Sequence, residues 1–98
     1  MDIIKNLEGK KLNIKLVGRL DTITAPALDS ELKSSLACVE ELAFDFSELE
    51  YISSAGLRVL LAGQKVMNKQ GSMTLSNVNS SIKEVFDMTG FSDILTII

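Results

Sequence analysis

The chain has 98 residues, of which 46% are hydrophobic, and this is enough for one domain with a single apolar core. It carries 13 acidic and 10 basic residues, a net charge of −3. This balance argues against nucleic acid as the main partner, because phosphate-binding surfaces need clustered Lys and Arg. Histidine is absent and Cys38 is the only cysteine, which excludes a Ser-His-Asp triad, a thiolate metal cluster and an internal disulfide.

The start of the chain, Met1–Lys5, lacks the long apolar run of a signal peptide. No stretch approaches the roughly 20 apolar residues of a membrane span, and a single cysteine suits a reducing compartment. We therefore expect a cytoplasmic protein without a membrane span, in which Cys38 is a small buried side chain near a helix end. We also expect no metal, no cofactor and no enzymatic activity.

The first 20 residues predict a β-hairpin. Residues 3–7 indicate a short first strand, and Glu8–Lys10 is a turn signal. Residues 12–17 alternate between apolar and more polar side chains, which is typical of a half-buried strand. The short link implies that the two strands pair antiparallel, and Gly18 is expected to end the second strand.

A loop over Asp21–Thr24 leads into a predicted first helix that ends at about Ala37. Thr24 is the expected N-cap, and Pro26 lies in the first turn, where its missing N–H does little harm. Apolar residues then recur at four-residue spacing and indicate a helix face that packs on the core. The residues of this stripe are Leu28, Leu32 and Leu36.

The next segment predicts a central strand over Glu41–Phe46, with apolar residues at every second position, and then a turn closed by Tyr51 and Ile52. A second helix follows from about residue 55 to residue 70. Ser53 and Ser54 therefore come to the first turn of a helix, beside backbone N–H groups that lack intrahelical partners. Such a position suits either a helix cap or a small anion.

The apolar arc of this second helix is wide, because Val59 and Val66 lie beyond the ordinary core stripe. The arc is either buried on two sides or partly exposed to a partner. A short strand at 73–75 follows, and then a third helix that ends at Gly90.

Two N-terminal patterns are available to the third helix. One is a cap by Asn79 or Ser80, and the other is a capping box formed by Ser81 with Glu84. The last five residues, Ile94–Ile98, predict a final strand.

The resulting order is ββαβαβαβ, and its alternation after the hairpin implies crossover connections and mostly parallel pairing. The predicted fold class is therefore α/β. One domain over residues 1–98 contains a mixed, mostly parallel sheet of about five strands, with amphipathic helices packed on it.

Three short runs occur in a fixed order along the chain. Gly18–Asp21 is followed by Thr24–Leu28, the run Asp45–Leu57 spans the strand, turn and helix start, and Thr89–Phe91 lies near the end. Together they resemble the motifs of STAS domains, in particular the bacterial anti-sigma-factor antagonists. Those motifs are Gly-x-Leu-Asp with Ala-Pro, Asp-Ser-Ser-Gly-Leu after a strand, and Thr-Gly-Leu. The resemblance covers nearly the whole chain.

This resemblance implies a STAS-like domain that binds an anti-sigma factor, which is also a serine kinase, and so releases a sigma factor. The kinase phosphorylates one serine, the complex dissociates, and a serine phosphatase resets the protein. By position, Ser54 is the phosphoacceptor and Asp21 is the other acidic residue of the functional face. A monomer in the free state is expected. The expected partner-binding residues are Asp21, Thr22, Ser53, Ser54, Ala55, Gly56 and Arg58.

Two positions depart from the family pattern. Ser53 stands where the family has an aspartate before the phosphoacceptor, which removes a negative charge beside it. Ala55 replaces the second serine, so the acceptor is Ser53 or Ser54, and position favours Ser54. The alternative function is that of a STAS subunit in a lipid-transport or stress-sensing assembly, in which the serine is only a contact.

Each site residue also has a purely structural interpretation. Ser54 would be a helix cap, and Asp21 would be a turn residue before the first helix. Asp45 would accept hydrogen bonds from loop N–H groups. Gly56 would allow close helix packing or the approach of a phosphate, and Arg58 would belong to a solvated helix face.

Overall fold

Four strands, three helices and a short 3-10 helix make up the chain, and the computed structural model describes residues 1–98. The 3-10 helix, Phe91–Asp93, follows the last helix. None of the helices has the length and apolar character needed to cross a lipid bilayer. In chain order the regular elements are β1 (Asp2–Glu8), β2 (Lys11–Leu20), α1 (Ala25–Ser35), β3 (Glu41–Ile52), α2 (Ser54–Gln70), β4 (Ser72–Ser76) and α3 (Ser80–Thr89).

The four strands form one mixed sheet in the order β1-β2-β3-β4. β1 and β2 pair antiparallel, as the short predicted hairpin requires, whereas β2 with β3 and β3 with β4 pair parallel. α1 connects β2 to β3, and α2 connects β3 to β4. Because parallel strands end at the same edge of a sheet, the C-terminal ends of β2 and β3 and the N-termini of α1 and α2 meet at one edge.

The core lies between one face of the sheet and the helices. Alternate residues of β2 and β3 are buried because successive side chains of a strand point to opposite faces. The intervening residues, such as Asn13 and Lys15, are only half-buried and line an open concavity with Asp45 and Ser76. The buried strand residues that face the helices are Leu12, Ile14, Leu16, Leu20, Leu42, Phe44, Phe46, Leu49 and Ile52.

β3 is longer than the predicted Glu41–Phe46 strand and continues to Ile52. Its register against β2 shifts twice, just before Val17 and just before Arg19 of β2, and each shift places one extra residue in β3. These bulges break the period-two alternation, which is why the sequence pattern indicates a turn where the chain is still a strand. β2 likewise continues past Gly18, which lies between the bulges with φ +105°, a conformation that favours glycine.

The predicted fifth strand at Ile94–Ile98 is absent, so the expectation of about five strands was wrong. The segment pairs with β4 only at Leu75 and Ile97, as an isolated parallel bridge. Leu75 N–H donates to Thr96 O at 2.9 Å, and Ile98 N–H donates back to Leu75 O at 2.9 Å. The N–H groups of Ile94 and Leu95 both donate to Phe91 O, so the helical turn continues to Leu95 and leaves only three residues to pair with β4.

Other local predictions also need correction. α1 ends at Ser35, before the predicted Ala37. Cys38 is exposed in the following turn at φ +66° and is not a buried side chain. Asn79 is the N-cap of α3 and accepts from Ile82 N–H at 2.9 Å, so α3 begins one residue before Ser81 and the predicted capping box does not form.

The wide apolar arc of α2 is divided between the core and the surface. Val59 is buried, whereas Val66 is 40% exposed in a groove between α1 and α2. Of the two sequence-based alternatives, partial exposure is therefore the one observed.

The absence of a side chain at Gly56 lets α2 lie directly against the ends of β2 and β3. A Cβ atom at this position would lie 2.7 Å from Leu20 Cγ and 2.9 Å from Ile52 Cγ1, both within the buried core. Gly63 lies about two turns further along α2. A Cβ atom there would make an ordinary van der Waals contact, 3.4 Å from Leu32 Cδ1.

We expect Gly56→Ala to lower the free energy of unfolding by about 1–3 kcal/mol, because core side chains must move to admit the methyl group. The matched control, Gly63→Ala, should change it by less than about 1 kcal/mol, since the gain in helix propensity is available there without a severe contact. Urea denaturation of the three proteins measures both values. Equal changes at the two glycines would contradict the packing role of Gly56.

Candidate functional site

The candidate site is the sheet edge where β2 ends and α2 begins. Leu20 is paired with Ile52, the last residue of β3. Directly beyond this pair, Ser53 N–H donates to Leu20 O at 2.9 Å. This bond fixes the loop that begins at Asp21 beside the first turn of α2. The expected proximity of Asp21 to the serine pair therefore arises from the parallel pairing of the two strands.

The two candidate serines have different roles. Ser53 is the N-cap of α2, with extended backbone angles, and its Oγ accepts from Gly56 N–H at 3.3 Å. Ser54 is the first helical residue, is exposed, and has no hydrogen-bond partner for its hydroxyl. The structural interpretation of Ser54 as the helix cap is therefore wrong, because Ser53 is the cap.

Asp21 organises the loop that precedes α1. Its Oδ1 accepts from the backbone N–H groups of Ile23 and Thr24, each at 3.0 Å. Thr24 Oγ1 accepts from Asp21 N–H at 2.9 Å and donates to Arg19 O at 2.8 Å. Thr24 holds the N-cap position of α1, as predicted, but it has helical backbone angles and its side chain makes no cap bond. The loop N–H groups are bound by Asp21 instead.

The pKa of Asp21 is lowered from its ordinary value of 3.8, chiefly because the backbone N–H of Thr24 binds the ionised form. The N–H of Ile23, the Thr24 hydroxyl and the charge of Arg19 also lower the pKa, and desolvation, the second-largest effect, opposes them. The turn interpretation of Asp21 is thus confirmed. A role in partner binding stays a prediction.

A row of side chains beside this loop was not identified from the sequence. The guanidinium of Arg19 lies 4.3 Å from the ring centroid of Tyr51, in a cation–π contact. Arg19 Nε is also 3.9 Å from Asp21 Oδ2. Arg19 and Tyr51 are cross-strand neighbours only because of the second bulge, so the alternation pattern alone gives no signal for this contact.

The exposed side chain of Ile23 is a further feature that the sequence patterns missed. It is 87% exposed, although it is a large aliphatic side chain, and the hydrogen bond from its own N–H to Asp21 fixes its backbone. The sequence did contain a signal for its exposure. Ile23 lies between two threonines in a polar loop, and it does not fit the apolar periodicity of the strand before it or of the helix after it.

Three of the predicted partner-binding residues line a single open concavity between the loop and the first two turns of α2. These are Thr22, Ala55 and Arg58, and Pro26 and Asp29 of α1 lie opposite them. Ser53 and Gly56 are instead engaged in the cap and the helix packing. The predicted partner-binding residues therefore fall into two groups. Thr22, Ala55 and Arg58 are on the surface, whereas Ser53 and Gly56 fix the position of α2 beneath it.

Asp45 lies away from this concavity, at the first bulge of β3. Its Oδ1 accepts from Asn77 Nδ2 at 3.0 Å and from Ser47 N–H at 2.9 Å, and these bonds lower its pKa. Asp45 therefore accepts structural hydrogen bonds, as predicted, but it lies within β3 and its N–H donor, Ser47, belongs to the same strand and not to a loop. No group of three or more acidic or thiol side chains lies close enough together to hold a metal ion.

The family model described as STAS domain matches residues 3–98. BtrV of Bordetella bronchiseptica is 34% identical over 84 residues, which cover 84% of this chain and 72% of BtrV. The anti-sigma-B factor antagonist of Bacillus subtilis is 30% identical over 87 residues, which cover 88% of this chain and 80% of that protein.

Solved structures agree with the fold. An anti-sigma factor antagonist from Mycobacterium paratuberculosis has a TM-score of 0.88 at 21% identity, over 98% of this chain and 83% of that one. The antagonist SpoIIAA in its unphosphorylated form has a TM-score of 0.79 at 17% identity, over 99% of this chain and 87% of that one. SpoIIAA of Bacillus in the phosphorylated form has a TM-score of 0.78 at 17% identity, over 99% and 91%.

The lowered pKa of Asp21 predicts a pH-dependent contribution to stability. We expect Asp21→Asn to reduce the free energy of unfolding at pH 7, because the ionised carboxylate accepts the loop N–H bonds. The difference between wild type and variant should be complete above pH 3.8 and should diminish as the pH falls toward the lower folded pKa. Urea denaturation between pH 7 and pH 3 measures this profile.

The matched control is Asp2→Asn, which removes the same charge from an exposed carboxylate that has no hydrogen bond or ion pair. Its effect should be small across the same pH range. A profile for Asp21→Asn that follows the one for Asp2→Asn would show that the loop bonds do not depend on ionisation.

Proposed function

Because the chain belongs to the STAS domain family, we propose that it acts as an anti-sigma-factor antagonist whose binding is controlled by phosphorylation of Ser54. It is a binding module that performs no chemistry of its own. Its partners are an anti-sigma factor with serine kinase activity and a serine phosphatase, both in the cytoplasm. Relatives named anti-sigma-B factor antagonists, at 30% identity, support this assignment over a subunit of a lipid-transport or stress-sensing assembly.

The observation that carries the proposal is the difference between the two hydroxyl groups. A kinase needs a free serine Oγ, which attacks the γ-phosphorus of ATP, forms the O–P bond, loses its proton and releases ADP. The hydroxyl of Ser54 is exposed and unbonded, whereas phosphorylation of Ser53 would remove a helix cap worth about 1 kcal/mol. The structural difference therefore favours Ser54, the position that the family resemblance also indicates.

The domain itself can accept a phosphate at this position. Phosphorylation adds about −1.5 to −2 charges at neutral pH. The N-terminus of a 17-residue helix carries partial positive charge and unpaired N–H groups, which favour an anion. SpoIIAA, which has the same fold, has structures in both an unphosphorylated and a phosphorylated form. Modification therefore need not unfold the protein.

The partner surface has no such compensation. A surface that fits a small neutral hydroxyl would face a large, solvated dianion for which it has no counter-ion, and burying such a charge at an interface costs several kcal/mol. Each ~1.4 kcal/mol is a tenfold change in affinity, so a loss of at least a hundredfold is expected. Asp21 on the neighbouring loop has the same sign as the phosphate and adds repulsion.

We expect phosphate incorporation to depend on Ser54 and the stability of the helix start to depend on Ser53. With the cognate anti-sigma factor kinase and ATP, wild type and Ser53→Ala should both incorporate one phosphate, and Ser54→Ala should incorporate none. Urea denaturation should show the opposite order. Ser53→Ala loses about 0.5–2 kcal/mol of stability with its cap, and Ser54→Ala loses little.

Intact mass spectrometry after the kinase reaction measures the phosphate, and peptide mapping identifies its position. Labelling of Ser54→Ala at Ser53 would move the acceptor by one residue. Absence of phosphate from the wild-type protein, together with co-purification of a transporter or scaffold complex, would support the alternative STAS assembly instead.

We also expect Ile23 to contribute directly to partner binding, because its exposed side chain lies on the fixed loop beside the Thr22 and Arg58 concavity. Burial of an isoleucine contributes about 1.5–3 kcal/mol, so Ile23→Ser should weaken binding of the anti-sigma factor by about tenfold to a hundredfold. Its stability should be unchanged, and isothermal titration calorimetry measures the affinity.

The matched control is Met88→Ser, which removes another highly exposed apolar side chain. Met88 lies near the C-terminal end of α3 and does not line the concavity that contains Thr22 and Arg58. It should bind like wild type. If both variants lost the same affinity, the effect would come from the general loss of exposed hydrophobic surface and not from the position of Ile23 in the loop.

A further inference from the structure

Arg58 lies one helical turn beyond Ser54 on α2. Residues four apart on a helix are neighbours on the same face, with Cβ atoms about 5–6 Å apart. Both side chains are exposed, and Arg58 borders the concavity that also contains Ala55 and Thr22. A phosphate on Ser54 is therefore within reach of the guanidinium.

The guanidinium of Arg58 has no ionic partner in the unmodified protein. The nearby acidic residue of the concavity, Asp29, is instead paired with Lys33 on its own helix, with Oδ2 and Nζ 2.8 Å apart. In the Asp29–Lys33 pair the acidic residue lies four positions before the basic one. Phosphoserine 54 and Arg58 would have the same spacing and the same order. The same spacing already forms an ion pair in α1, so its geometry is accessible in this fold.

We propose that Arg58 is the internal counter-ion of the Ser54 phosphate. The proposal rests on the proposed function, since it assumes that Ser54 is the phosphorylated residue. The planar guanidinium donates two parallel N–H bonds to the phosphate oxygens, and charge-assisted bonds of this kind are among the strongest in proteins. In the unmodified state Ser54 offers only a neutral hydroxyl, so the pair forms on phosphorylation alone.

This pair has two consequences for the phosphorylated state. It favours the dianion over the monoanion, and so lowers the second pKa of the phosphate. It also covers phosphate oxygens that a phosphatase must contact, because the guanidinium has to leave before hydrolysis by water can release inorganic phosphate and the serine hydroxyl. Arg58 thus lengthens the lifetime of the phosphorylated form. Phosphorylation would then determine whether the partner binds, and Arg58 would determine how long binding stays switched off.

The test uses full-length protein with phosphoserine encoded at position 54 during translation, so no kinase is needed. The second pKa of the phosphate is measured by 31P NMR titration in three backgrounds: wild type, Arg58→Gln and the control Lys65→Gln. Lys65 is also exposed on α2 and without an ion pair, and its substitution changes the net charge equally. We expect Arg58→Gln to raise the phosphate pKa by about 0.2–0.4 of a unit relative to both others.

Hydrolysis by alkaline phosphatase, followed by intact mass, provides the second readout. Arg58→Gln should lose phosphate about 1.5- to twofold faster than wild type and Lys65→Gln. Arg58→Lys, which keeps the charge without the planar fork, should lie between. Equal pKa values and equal rates in Arg58→Gln and Lys65→Gln would overturn the proposal. Failure of the phosphorylated protein to lose partner affinity would instead overturn the proposed function and leave the Arg58 measurement intact.

Discussion

The close approach of α2 to the ends of β2 and β3 is the constraint on which the rest of the site depends. Gly56 leaves no Cβ between the helix and the buried side chains of Leu20 and Ile52. The hydrogen bond from Ser53 to Leu20 O fixes the entry to the helix at the same point. Together they place the first turn of α2 at the sheet edge, beside the Asp21 loop.

That placement assigns separate tasks to neighbouring residues. Ser53 takes the cap position, which leaves the Ser54 hydroxyl free and exposed. The carboxylate of Asp21 accepts hydrogen bonds from its own loop, and these bonds fix the backbone at the exposed Ile23. In the proposed function, the partner would contact a surface held by these bonds, with the Ser54 hydroxyl as its modifiable group. Because the supporting bonds do not involve Ser54, we expect a phosphate there to change binding without changing the fold.

Much of the fold follows from sequence pattern, and the errors have identifiable causes. Period-two alternation located β2 and the first half of β3, and helix periodicity located all three helices within two residues. The alternation fails at the bulges of β3, so the second half of that strand was predicted as a turn. The final segment has strand-like composition, but the 3-10 helix before it leaves only one bridge, at Leu75 and Ile97.

The site was predictable where it rests on local chemistry and not where it rests on register. The position of two serines at a helix start follows from the sequence, although which of them is the cap does not. Thr24 lies at the predicted N-cap position of α1, but only the loop geometry shows that Asp21, and not the Thr24 side chain, binds the free N–H groups. The contact of Arg19 with Tyr51 depends on a bulge, and the exposure of Ile23 depends on the direction of a fixed loop, so neither has a periodic signal.

The most direct test of the central claim is the composition of the complex in the cells that make this protein. The protein is isolated from those cells, its free and anti-sigma-factor-bound fractions are separated, and the intact mass of each is measured, with the modified residue mapped. The account predicts an added phosphate on Ser54 in the free fraction and unmodified protein in the bound fraction. Equal proportions of Ser54-phosphorylated protein in the two fractions would contradict it.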